Sequence, residues 1–155
     1  MAHVTAHGGR GMADAGGRVV SVAAPLSLQA YWILRGAFTL VPLVAGVDKF
    51  FNALTQWEMY LVPWVPGLLN LSDRTIMQGV GVIEIVAGLG VALFPRIFAY
   101  VVAAWLAAII VNLLSIPGYY DIALRDAGLM LGALALGRLS HLYAHRRVDT
   151  PAPVV

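Results

Sequence analysis

Residues 75–94 read TIMQGVGVIEIVAGLGVALF, an unbroken apolar run with one carboxylate, Glu84, near its centre. A helix of this length rises about 30 Å, the thickness of a bilayer's hydrocarbon core. A charge at the middle of such a span is costly and turns toward protein, not lipid. Whatever the rest of the chain folds into must therefore surround Glu84. Three further runs of similar length, at about 31–51, 97–116 and 121–139, supply the material. The chain is 60% hydrophobic and only 12% charged, with a mean hydropathy of +0.80. Soluble domains carry about 25% charged residues. The expected fold is all-α: an integral membrane four-helix bundle with an interfacial loop between helices 1 and 2.

This organisation divides the 155 residues into an N-terminal tail, 1–29, the bundle, 30–142, and a C-terminal tail, 143–155. The first tail is Gly- and Ala-rich and lacks the apolar core of a signal peptide. No second domain is expected. With no cysteine, disulfides, thiolate metal sites and iron–sulfur clusters are excluded. A net charge of +2 with dispersed basic residues gives no nucleic-acid footprint.

In the first span Arg35, Thr39, Pro42, Gly46 and Lys49 share one helical face, and Pro42 is expected to kink it. In the second, Met77, Gly81, Glu84 and Gly88 share a face, so the glycines let a neighbouring helix approach closely beside the carboxylate. The third span has one strongly polar residue, Asn112, and ends at Pro117-Gly118. The fourth opens with Arg125-Asp126, and its Gly128 and Gly132 form a GxxxG pair expected to pack closely. Between the first two spans, 52–74 holds Trp57, Tyr60 and Trp64, expected as interface anchors of a segment lying on the membrane surface.

Lysines and arginines set the orientation. With four spans, both termini share a side with Arg10, Arg18, Arg35, Arg96, Arg138, Arg146 and Arg147, seven of the ten basic residues. The other side carries Lys49, Arg74 and Arg125, together with Asp48, Glu58, Asp73, Asp121 and Asp126. Both termini are therefore expected to be cytoplasmic, in a multi-pass protein of the inner (plasma) membrane.

Aligned in register, the spans bring Asp48, Lys49, Asn112, Arg125 and Asp126 into the outer half, with Arg35 in the inner half. Lys49 is the favoured partner of Glu84, because its long stem reaches inward, and Arg35 is the second candidate. One reading makes this set an ion-paired staple between helices. The other makes it a polar pocket for a quinone headgroup or for protons. His141 and His145 are spaced i, i+4 without acidic partners, and read as a solvated helix end. His3 and His7 share that spacing in the tail. The spans contain no histidine, so no haem or metal is expected in the bundle. The glycines of 79–90 lie inside a span with no preceding strand, which excludes a phosphate-binding loop.

One further pattern joins these features. Arg35-Gly36 opens the first helix and Ala45-Gly46-Val47-Asp48-Lys49-Phe50 closes it. Glu84 is followed by Gly88-Leu89-Gly90, Pro95-Arg96 forms the inner turn, and Arg125-Asp126 begins a Gly/Ala-rich last helix. Over about Leu34 to Leu139 this order resembles the DoxX-like family of small four-helix bacterial and archaeal membrane proteins. The resemblance implies association with quinol-oxidising or other redox assemblies, and a polar pattern at Arg35, Lys49 and Glu84. The long loop 52–74 and the Gly-rich N-terminal tail depart from that pattern.

The expected role is an accessory, non-catalytic subunit of a membrane redox assembly, binding no cofactor by itself and contacting membrane lipid and other membrane subunits. It would stabilise the assembly and shape a quinone or lipid path. The alternatives are a quinone-interacting oxidoreductase subunit with a pocket around Glu84 and Lys49, and a small transporter or proton-conducting bundle. The absence of paired broken helices counts against the last.

Overall fold

The computed structural model describes the backbone of residues 11–146 and the side chains of 26–143. Residues 1–10 and 147–155, and with them His3 and His7, lie outside the described part, as does the His145 side chain. The described chain is all-helical. Helix α1 runs Gly11–Asp48, α2 Val65–Leu69, α3 Asp73–Leu93, α4 Pro95–Leu114 and α5 Tyr120–Arg146, with a 3-10 turn at Trp57–Tyr60.

Among the described residues, three helical segments are long and apolar enough to cross a membrane: Leu26–Asp48, Asp73–Leu93 and Pro95–Leu114. Helix α5 is the longest after α1, yet it carries Asp121, Arg125, Asp126 and Arg138 and is not among them. The largest boundary difference from the sequence expectation is at the start of the first helix. Helix α1 begins at Gly11, far ahead of Tyr31, because an Ala- and Val-containing stretch extends a helix already nucleated by its apolar half. It also runs through Pro42 without interruption, as membrane helices can when neighbours accommodate the freed carbonyl.

The helices pair along the chain. Helix α1 packs along α3 and α4 along α5, while α3–α4 and α1–α5 contacts close the bundle. Glycines set the α1–α3 distance. A Cβ on Gly81 would stand 2.6 Å from the Gly46 carbonyl oxygen, and one on Gly46 would stand 2.7 Å from the Gly81 carbonyl oxygen. Lower down, a Cβ on Gly88 would come within 2.9 Å of the Thr39 carbonyl oxygen. The two backbones touch along this seam, which supplies van der Waals contact where no hydrophobic effect operates between helices. In α5, a Cβ on Gly132 would stand 3.2 Å from the Phe38 ring, whereas one on Gly128 would meet nothing within 4 Å. The expected GxxxG packing pair is thus reduced to Gly132. Gly128 lies on the outer side of α5, whose inward face runs through Ala123, Asp126, Ala133, Leu136 and Ser140.

The core is built of small and aromatic side chains, with Ala87, Val91, Ala99, Val102, Ala103, Ala133 and Leu136 buried against Tyr31 and Phe38. Most large aliphatic side chains point outward. That is the pattern of a bundle whose solvent is hydrocarbon.

Candidate functional site

Three polar groups are buried where α1, α3 and α5 meet. Lys49 follows the last residue of α1, and its amide continues the helical ladder to the Ala45 carbonyl. Helical side chains lean toward the N-terminus, so the lysine stem runs back along α1 into the bundle. Gly81 makes room for it, since a Cβ there would lie 3.1 Å from the Lys49 Cβ. Three residues further along α3, on the same face, Glu84 meets the ammonium: Nζ donates to Oε2 at 2.6 Å. The lysine side chain is 4% exposed and the glutamate 12%.

The pair is roofed from the loop side. The face of Trp57 lies 3.6 Å from the Lys49 Nζ, a cation–π contact in a dry setting. The Trp57 indole N–H donates to Asp48 Oδ2 at 2.7 Å. Asp48, itself buried, also accepts from the amides of Ala53 at 3.0 Å and Leu54 at 3.1 Å. Asp48 therefore folds the loop and Lys49 enters the bundle, although the two are adjacent in sequence. Asn52 allows the reversal by adopting the left-handed region, φ 54°.

Asp126 of α5 is buried nearby and acts electrostatically on Glu84. Its cationic neighbour, Arg125 Nε at 3.5 Å, belongs to a side chain that is 68% exposed. Two carboxylates are thus buried in this region, Glu84 paired with Lys49 and Asp126 with the exposed Arg125 side chain.

The other expected members of this constellation are placed elsewhere. Arg35 is not near Glu84. It donates to the Ala92 carbonyl at the C-terminal end of α3 and to the Tyr31 hydroxyl at 3.1 Å, and it stacks 5.0 Å from the Trp32 ring centroid. A guanidinium suits that position, because the last carbonyls of a helix are unpaired and carry its negative pole. Asn112 ties α4 to the loop instead of joining the charges: its Nδ2 donates to the Tyr60 carbonyl at 2.6 Å and its Oδ1 accepts from the Val62 amide at 3.1 Å. Of the expected interface anchors, Trp57 roofs Lys49 and Tyr60 packs edge-on against Tyr119 at 5.3 Å, while Trp64 is exposed.

A second ionic cluster pins the loop to the start of α3. Arg74 NH1 lies 3.0 Å from Glu58 Oε1, Asn52 Nδ2 donates to Glu58 Oε2 at 2.8 Å, and Arg74 NH2 donates to the Phe50 carbonyl at 2.6 Å. The Glu58 amide, then Arg74 and Asn52, hold that carboxyl below its ordinary value.

Sequence reasoning missed the roles of Asp48 and Trp57. They are nine residues apart in an aperiodic segment, so no period signals them; the only hint is a tryptophan in a loop following a buried-pattern Asp-Lys. Comparison with family models, with curated proteins and with solved structures returns no match.

Proposed function

We propose that the chain is an accessory, non-catalytic subunit of a larger membrane redox assembly, which it stabilises and in which it shapes a quinone or lipid path. In this reading α5 is a fourth span, the bundle crosses the inner membrane four times, and both termini are cytoplasmic. The observation that carries the non-catalytic part is the closed Lys49–Glu84 pair beneath Trp57. Lys49 Nζ and Glu84 Oε2 are each other's partners, as expected of a staple between α1 and α3. The redox part rests on the resemblance of Leu34–Leu139 to DoxX-like proteins. Purification from native membranes in mild detergent tests it. Oxidoreductase subunits should co-elute with the chain, and elution of the chain alone sinks the proposal.

One observation favours a second reading. A second carboxylate, Asp126, is buried in the same region with only the exposed Arg125 side chain as its ion-pair partner, and offers an acceptor to a quinone headgroup or a proton. Under this reading Glu84→Gln lowers quinone-dependent turnover while the assembly stays intact. Unchanged turnover in an intact assembly rules it out.

A further inference from the structure

At the end of the bundle where α3 turns into α4, two arginines lack a counter-charge among the described residues. Arg96 stands in the first turn of α4, and Arg138 and His141 stand near the end of α5. The six described carboxylates are elsewhere. Asp48 and Glu58 lie at or beyond the end of α1, Asp73 opens α3, Glu84 is mid-span, and Asp121 and Asp126 open α5. Among the described residues, neither Arg96 nor Arg138 has an ion-pair partner.

The two helices present these groups along one seam. Arg96 and Tyr100 are one turn apart on α4 and share a face. The Tyr100 ring fits against Gly137 of α5, where a Cβ would come within 2.8 Å of its Cζ, and its centroid lies 6.0 Å from that of His141. Arg138 follows Gly137 directly and precedes His141 by three residues, so it lies next to the same contact. The start of α4 adds charge of the same sign. Its N-cap, Phe94, provides no side-chain acceptor, and the positive end of the helix dipole is directed here. Pro95 is also the first residue of a membrane-length segment, which sets Arg96 at headgroup depth.

Exposed guanidinium groups at headgroup depth on two neighbouring helices, without a counter-charge among the described residues, match the phosphate of a lipid. We propose that the α4–α5 seam formed by Arg96, Tyr100, Arg138 and His141 binds the headgroup of an anionic phospholipid. The inference rests on the four-span part of the reading above and is independent of its redox part.

Native mass spectrometry of the full chain in mild detergent tests it, with added phosphatidylglycerol or phosphatidylcholine of matched acyl chains. Wild-type protein should retain phosphatidylglycerol in clear preference. The double variant Arg96→Gln/Arg138→Gln should lose roughly tenfold to thirtyfold in phosphatidylglycerol affinity, from the usual contribution per basic residue near an anionic surface. Arg74→Gln, at the opposite end, should leave it unchanged. Equal retention of the two lipids by wild-type protein overturns the proposal whether or not the variants fold, as does full retention of phosphatidylglycerol by a folded double variant. Displacement of the lipid by millimolar inorganic phosphate would assign the seam to a free anion and overturn the lipid assignment; none is expected. Because the isolated chain is used, failure here leaves the co-purification result untouched.

Discussion

The ring of Trp57 lies 3.6 Å from the ammonium of Lys49, while its indole N–H is held by Asp48, the residue just before that lysine. The loop between the first two membrane-length segments is therefore built onto the buried ion pair. Asn112 grips the same loop from α4 through Tyr60 and Val62. Loop and ion pair should respond to perturbation together.

Trp57 tests this coupling. Trp57→Phe keeps an aromatic face over Lys49 but leaves Asp48 without its indole donor, which should cost about 1.5–3 kcal/mol for a hydrogen bond to a charged group. Trp57→Ala also removes the face and leaves a void, and should cost about 3–5 kcal/mol. Unfolding by graded denaturing detergent gives the stabilities, and amide exchange across 53–62 reports the loop. A near-neutral Trp57→Ala with unchanged exchange would show the loop to be independent of the pair.

Lys49 and Glu84 should behave as one energetic unit. Removing either partner leaves the other charge buried and unpaired, and Lys49→Met or Glu84→Leu alone should each cost about 3–5 kcal/mol. The double variant replaces the pair by apolar side chains of similar size. Its cost should fall short of the sum of the singles by about 1–3 kcal/mol. Additive costs in the same unfolding assay would mean that the contact has no energetic consequence.

The helical class was legible because composition and run length constrain a membrane chain strongly. The Lys49–Glu84 pairing was legible too, because Gly81, Glu84 and a lysine with a long stem fall on facing stripes. What escaped depends on direction in space. Gly128 and Gly132 look equivalent in sequence, yet α5 turns only Gly132 toward a neighbour, Phe38. Arg35 looked available to Glu84 by charge, but the unpaired carbonyl of Ala92 is nearer and suits a guanidinium. Periodicity places residues on a face; it does not say what that face meets, and in an irregular loop such as 52–64 it is silent.

The glycines provide the sharpest contrast. Gly81→Ala and Gly46→Ala would each drive a methyl group into a backbone carbonyl that cannot swing aside, so α1 and α3 must separate. Overpacking of this kind costs about 1–3 kcal/mol. Gly128→Ala meets open space on an exposed helical face. It should be neutral or stabilising, by about 0.5–1 kcal/mol, because alanine loses less backbone freedom on folding. Thermal stability of the three variants in one detergent separates the seam from the bare motif. Equal losses at all three positions would contradict the assigned packing.

Acid should open the loop before it affects the bundle. Glu58 lies outside the membrane-length segments, and its own amide, Arg74 and Asn52 all favour the ionised carboxylate. A carboxyl held below its ordinary value in the folded state stabilises that state fully above the ordinary value. The contribution fades as pH falls through the lowered folded-state value, where the proton is taken up and the contacts with Arg74 and Asn52 weaken. Arg74 and Glu58 are both partly exposed, so solvent screens the pair and the change is modest. Amide exchange over 53–72 should therefore lose a few-fold in protection through the acid range, after correction for the intrinsic pH dependence of exchange, while α4 keeps its protection. Glu58→Gln carries no charge at any pH. It should begin with the reduced protection and show no acid step from this group. A wild-type step that persists unchanged in Glu58→Gln would assign the acid sensitivity to another carboxyl.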